Sequence, residues 1–421
     1  MTSSLDGKKI LILGGGISTY NIVVTAKNMG IYVICADYYE TGVAKEIADE
    51  SLNISTNDFE ALAKVVKDKE IDGIFTGASE FNCKNMIRLA KMTGRPCYCN
   101  IEQWNLMQNK RNFKDVCRRY GVQVVPEYSE EIPPNEIVYP VIVKPTDSYS
   151  AQGMSICRDE EHFKESLDFA YKYSSSKTAI VERYMVCDSV AFYYTIQNGE
   201  ISFSHMIDWY RYKNKDGVDA ITATLIYPSK YTEKYMKKMD KPVRDMIKGI
   251  GLRDGYIQFQ AFVENDEFYV FECGLRIPGS YDYPIIAKLN GINYLEMMIE
   301  YAVNGSINRY NGTLQNDPFL GGNWAANVAV MLKTGVITKV YGVENIMKQD
   351  FVLSMTTPPS IGHRIEEEHM GTLHQTFCRF NVIGKSKLEL LKNIEFIFKT
   401  IKVTDEKGIN MVCEPIDYSA I

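Results

Sequence analysis

Seven side chains in the middle of this sequence could handle a phosphorylated ligand, and they come in a fixed order: Lys110, Lys144, Glu182, Asp188, Gln260, Glu272 and Arg276. Lys110 opens a run that reads as a helix ending at Gly121, and Lys144 closes the strand-like Val141–Lys144. Two lysines from separate elements offer point positive charges to a polyphosphate. The small-residue loop Thr146 to Gly153 (TDSYSAQG) follows. Its backbone N–H groups could close over terminal phosphates, with Ser148, Ser150 and Gly153 as candidates. Glu182 ends the strand Ala179–Glu182 and is followed by Arg183 and Met185. An acid beside exposed backbone suits the exocyclic amine of adenine, and Asp188, six positions on, suits ribose hydroxyls. Gln260 and Glu272 fall on successive strands of a hairpin around Asn265-Asp266. Two oxygen donors so placed could hold Mg2+, a hard cation that keeps waters and binds phosphate oxygens. Arg276 could grip a carboxylate with two parallel hydrogen bonds.

Plainer readings exist for several of these. Lys144-Pro145 could be a strand meeting a turn, Lys110 a solvated helix charge, and Asp188 a hairpin residue. Glu272 resists such a reading, because a carboxylate inside the apolar run FYVFECG needs a partner. Gly14-Gly15-Gly16 sits between a strand and a helix, where backbone N–H groups attract an anion. Asp37, 21 residues after Gly16, stands where dinucleotide-binding folds place a ribose acid. The full glycine fingerprint would need glycine where Thr19 stands, so a tight turn without nucleotide explains the loop equally well. His205, in ISFSHMIDWY, is a candidate substrate contact or a structural histidine. Gly279 and Ser280 lead into Tyr281-Asp282-Tyr283, which line an acceptor pocket or cap the next helix. His363, His369 and His374 near Glu366-Glu367-Glu368 read as a solvated acidic loop rather than a metal site. The ten cysteines are scattered, with one lone CxC at Cys97 and Cys99, and read as reduced core thiols.

The elements that must position these groups are legible in outline. Over the first hundred residues, strands at 9–13, 31–36 and 71–75 alternate with helices at 17–29, 59–67 and 80–92. Such repeats imply a parallel sheet with helices on both faces. A helix is expected over 102–120, then strands at 141–144, 153–157, 179–182, 190–197 and 201–208. Helices near 160–173 and 231–250 punctuate them, and the hairpin 257–272 and a helix over 294–303 follow. Short strands and a helix over 388–400 close the chain.

Composition bounds the rest. At about 150 residues per domain, 421 residues suggest two or three domains. With 45% hydrophobic and 24% charged residues, the whole chain is neither disordered nor fibrous. A net charge of −6 gives no global pull toward nucleic acid or anionic lipid. No run approaches the roughly 20 apolar residues that span a bilayer. Met1 to Gly7 is short and polar, unlike a signal peptide, so a cytoplasmic location is expected.

Taken in order, these motifs resemble the ATP-grasp superfamily, closest in texture to its carbamoyl phosphate synthetase and biotin carboxylase branch. The segment GYIQFQAFVENDEFYVFECGLR (Gly255–Arg276) resembles that branch's metal-binding hairpin almost position by position. The resemblance implies an α/β and α+β protein. A parallel βα pre-ATP-grasp domain would span 1–105. An ATP-grasp core of two α+β subdomains would span 106–310, with a lid at about 140–186. A strand-rich C-terminal extension would span 311–421. Lys110 and Lys144 match the phosphate-contacting lysines, and Ser148, Ser150 and Gly153 the lid loop. Glu182, Arg183 and Met185 match the adenine hinge, and Asp188 the ribose acid. Gln260 and Glu272 match metal ligands, and Arg276 the transition-state or substrate arginine. His205, Gly279 and Ser280 are further substrate candidates. Where the family reads Glu-x-Asn-x-Arg, this chain has Glu272-Cys273-Gly274-Leu275-Arg276, and Gly274 offers a metal nothing. The implied cofactors are ATP and one or two Mg2+, with Mn2+ as a substitute. The implied activity joins a carboxylate to an amine or thiol through an acylphosphate, releasing ADP and phosphate. The partners are small-molecule substrates, not nucleic acid or membrane, and a homodimer stays open. A non-catalytic nucleotide binder and a dinucleotide-dependent oxidoreductase using Gly14–Gly16 remain as alternatives.

Overall fold

The computed structural model describes residues 5–148, 152–213, 219–310, 315–356 and 358–418. The chain folds into two compact units, neither contiguous in sequence. The first comprises 1–202, 233–277 and 295–314; the second comprises 203–232, 278–294 and 315–421.

The first unit begins with a four-stranded parallel sheet, in the order Glu50–Leu52, Tyr32–Ala36, Lys9–Leu13, Gly73–Thr76. Its central strands are buried almost without exception, as unbroken apolar runs in a helix-covered parallel sheet should be. The helix Glu80–Thr93 follows the fourth strand; Ser79 caps its start and left-handed Gly94 ends it.

A second, antiparallel sheet has the order Glu127–Tyr128, Ala179–Arg183, Val141–Pro145, Ser155–Cys157. Val141, Val143, Ala179 and Val181 pack on Phe163 and Ala170 of the helix Phe163–Tyr173. Strand alternation then sends Lys144 and Glu182 together to the other face. A third group of strands, Glu267–Gly274, Gly255–Glu264 and Asp188–Gln197, is also antiparallel. Phe259 on its apolar face stacks with Phe192 at 5.2 Å and Phe113 at 6.2 Å. Gln258, Gln260, Glu272 and Gly274 share the opposite face.

Two expected helices are each broken. In place of one helix over 102–120 there are two, Ile101–Gln108 and Lys110–Arg119, because Asn109 takes an extended backbone and caps the second. In place of one over 231–250 there are Thr232–Lys238 and Asp240–Gly249. The break at Met239 lies three residues before Pro242, which has no N–H to donate.

In the second unit, the antiparallel strands Asp219–Tyr227, Trp324–Met331, Thr376–Gly384 and Val352–Met355 neighbour one another in that order. Leu390, Ile394 and Ile397 of the helix Lys387–Thr400 bury against Val328, Val330, Phe380 and Val382. The other face of the sheet carries Asn327, Arg379 and Asn381, all buried. Among the described residues, no helix is long and apolar enough to cross a membrane.

Candidate functional site

The helix that carries Lys110 is set by its cap. Asn109 Oδ1 accepts from the N–H groups of Arg111 and Asn112, both at 3.1 Å, which makes Lys110 the first helical residue. The Lys110 N–H donates to the carbonyl of Thr146 at 3.1 Å, and its Nζ donates to the carbonyl of Ser148 at 2.6 Å. Both ends of this lysine are thus tied to the loop that follows Lys144.

Lys144 and Glu182 lie diagonally across two paired strands and form an ion pair at 2.6 Å. A second ammonium, that of Lys114, reaches the same carboxylate at 2.6 Å and Glu127 at 3.0 Å. Lys114 is fully buried and Glu182 nearly so. Burial alone would raise the Glu182 carboxyl, but the charges of Lys144 and Lys114 outweigh it and hold the group below its ordinary range. Glu182 thus binds two ammoniums, one of which is shared with Glu127.

Lys110 belongs to the same electrostatic neighbourhood. Burial and the nearby Lys144 ammonium lower its pKa, while Glu272, Glu80 and Glu182 act in the opposite sense. Residues from five elements therefore share one electrostatic neighbourhood. Gln260 and Glu272 face each other in the hairpin register, both half-buried. No hydrogen bond or ion pair joins the Glu272 carboxylate to another described residue. Gln108 Nε2 holds the adjoining strand through the carbonyl of Cys273 at 3.1 Å, and Tyr98 OH holds the carbonyl of Leu275 at 2.6 Å. Arg276 pairs with Glu80 at 3.2 Å, and its Nε is buried without a partner.

The hinge after Glu182 turns toward the hairpin. Arg183 donates to Glu264 at 2.6 Å and to the sulfur of buried Met185. Asp188 starts the next strand and is exposed. Gly153 has a φ of +74°, and a Cβ there would stand 2.6 Å from Tyr173 Cβ and 2.8 Å from Pro145 Cγ. Only glycine fits that close approach. Ser148 Oγ donates to the carbonyl of Gln152 at 3.0 Å. Ser150 lies outside the described residues.

Residues 110–301, from Lys110 through the whole hairpin, match the family model for the D-ala D-ala ligase C-terminus. Over this segment the chain is similar to ligases of the ATP-grasp type. It is 25% identical over 277 residues to a formate-dependent phosphoribosylglycinamide formyltransferase of Wolinella succinogenes, a match covering 64% of this chain and 70% of that one. The match to another formyltransferase of this name spans only 48% of its length. In fold, the chain is similar to the biotin carboxylase domain of a Hydrogenobacter thermophilus 2-oxoglutarate carboxylase, solved with MgADP. That match has a TM-score of 0.77 and 18% identity, over 96% of this chain and 91% of that one. It is also similar to an L-amino acid ligase from Bacillus licheniformis, with a TM-score of 0.76 and 16% identity, over 95% and 99%.

ATP and Mg2+ are the cofactors of an ATP-grasp protein, and the residues present fit them. Lys110 and Lys144 can take phosphate charge, and the unpartnered Glu272 with Gln260 offers hard oxygen donors. Among the described residues no three His, Cys, Asp or Glu side chains converge on a metal position. The oxygen donors on this face of the hairpin are one carboxylate with amides, a set that would suit an ion carried in by phosphates.

Other candidates are placed elsewhere. The N-terminal glycine loop is met by the chain's own Asp37 and Lys45 side chains. Asp37 Oδ2 accepts the Gly15 N–H at 2.7 Å, and a Cβ on Gly15 would lie 2.8 Å from Lys45 Cγ. His205, Gly279 and Ser280 belong to the second unit. His205 is fully buried, its Nδ1 is 2.9 Å from Ser204 Oγ, and burial lowers its pKa to about 3. Such an imidazole is neutral at physiological pH. Asn327 donates to the carbonyl of Ser280 at 3.0 Å, and Asn381 donates to that of Tyr281 at 2.8 Å. His369 Nδ1 accepts the Glu366 N–H at 3.1 Å, so this histidine serves its own turn.

Sequence reasoning missed Lys114, Glu80 and Gln258. Lys114 sits in the charge run KRNFKDVCRR, one helical turn after Lys110, but that spacing alone does not single it out from the other cations of the run.

Proposed function

We propose that the chain joins a carboxylate to an amine at the expense of ATP. The observation that carries this reading is the gathering of Lys110, tied to the loop after Lys144, the Lys144–Glu182 ion pair at 2.6 Å, and a Glu272 carboxylate without a hydrogen bond to another described residue. In the proposed reaction a carboxylate oxygen attacks the γ-phosphorus of ATP, the bond to the β-phosphate oxygen breaks, and ADP leaves. The resulting acylphosphate is attacked at its carbonyl carbon by the amine. The C–N bond forms, the C–O bond to phosphate breaks, and the amine proton passes to solvent. Lys110 and Lys144 hold the terminal phosphates, and Lys114 keeps the Glu182 carboxylate in place beside Lys144. The backbone of Arg183 to Met185 meets adenine, and Asp188 the ribose. Arg276 orients the carboxylate or the transferring phosphoryl group. Glu272 and Gln260 would hold Mg2+, which would supply charge neutralisation at the phosphate oxygens. Such catalysis is positioning and charge compensation, with no protein nucleophile.

The relatives' names make formate and amino acids the first carboxylates to try. The test is ADP release over pooled carboxylates and amines. ADP that depends on both a carboxylate and an amine supports the reading; ADP release independent of both argues against it.

A further inference from the structure

Gln258 is a buried amide with no hydrogen bond to another described residue, only 6% exposed. It pairs in register with Gly274, next to the Gln260–Glu272 pair, so its side chain rises from the same face of the hairpin. It also lies across Gly274. A Cβ at 274 would stand 2.5 Å from Gln258 Nε2, 2.9 Å from Cγ and 3.1 Å from Cδ. Gly274 has no left-handed φ, so backbone conformation does not require glycine there. What requires it is the room Gln258 takes.

With no hydrogen bond to a described residue, the Gln258 amide keeps its oxygen free for an added ligand. Beside it stands a carboxylate that is also unpartnered, and next to that a second amide. A hard cation would satisfy all three at once through oxygen. The oxygen and nitrogen of an amide exchange by a half-turn of its last torsion, so Gln258 can present Oε1 from its present position.

We propose that Gln258 is a ligand of the divalent cation held by Gln260 and Glu272, taking the space that Gly274 leaves free. The inference rests on the cation reading of Glu272. It departs from that reading in naming a ligand one strand over from the Gly274 position.

The test is Mn2+ titration, followed by electron paramagnetic resonance, of protein saturated with a non-hydrolysable ATP analogue. Gln258→Met keeps the volume and removes the oxygen. It is expected to weaken Mn2+ binding by about tenfold, the scale of loss when a metal's supporting groups are changed. Gln258→Glu adds a charge and is expected to tighten binding, and it decides the matter if the Met variant does not fold. Glu272→Ala is the control for the site itself. Mn2+ affinity unchanged in Gln258→Met but lost in Glu272→Ala overturns the role of Gln258 and leaves the cation site standing. Affinity unchanged in Glu272→Ala overturns both.

Discussion

Lys114 shows at the scale of one residue how the site is held. It is wholly buried and shares the Glu182 carboxylate with Lys144. Removing one partner from a buried ion pair leaves a charge poorly compensated. Lys114→Met should therefore destabilise the fold by about 3 kcal/mol or more, read by urea denaturation. Lys144→Ala should behave differently, because Lys114 still faces Glu182. Its loss should fall mainly on ATP, with affinity down about tenfold or more, equivalent to about 1.4 kcal/mol by calorimetry. Equal effects of the two variants on folding and on ATP would contradict this division of labour. Lys144 was legible in the sequence because it ends a strand before a small-residue loop. Lys114 was not, because nothing in KRNFKDVCRR says which cation turns inward. Gln258 was silent for a related reason: its meaning comes from the bare Gly274 across the hairpin.

Among elements, the helix Lys110–Arg119 depends on where it starts. A sequence that favours helix on both sides of Asn109 reads as one helix, and the break is invisible without the cap geometry. Asn109→Ala should cost about 1 kcal/mol of stability. It should also weaken ATP binding, since Lys110 would lose its place as first helical residue; denaturation and calorimetry on the one variant read both. The hairpin Gly255–Gly274 was the opposite case. Its alternation and its Asn265-Asp266 turn mark it as a hairpin, but the register shift between Gln260 and Ala261 that brings Glu272 opposite Gln260 leaves no mark in the sequence. The strand Asp219–Tyr227 escaped notice because threonine alternates there with small apolar residues and the contrast between faces is weak.

For the molecule as a whole, the N-terminal parallel sheet followed from the alternating strands and helices, whereas the pairing of the later strands and the interleaving of two units did not. Which distant segments pack together is set by long-range contacts that leave no local mark. Acid stability is a whole-molecule property with named sources. The folded-state pKa of His205 is depressed from 6.5 to about 3, so the unfolded chain takes up a proton first as the pH falls. Stability should decline from about pH 6.5 toward pH 3, at up to about 1.4 kcal/mol per pH unit from this group. Glu182, depressed below its ordinary 4.5, adds a loss below that pH as it is protonated. Urea denaturation across this range should be steeper for the native chain than for His205→Gln; parallel curves would mean that His205 is not buried neutral. The account's central claim is that the Lys110–Glu272 site activates a carboxylate with ATP. Its most direct measurement supplies the pooled carboxylates labelled with oxygen-18, together with the pooled amines, and follows the label into released phosphate. The account predicts ADP and phosphate in equal amounts, the phosphate carrying one carboxylate oxygen, and no turnover in Glu272→Ala. Phosphate released without the label would contradict it.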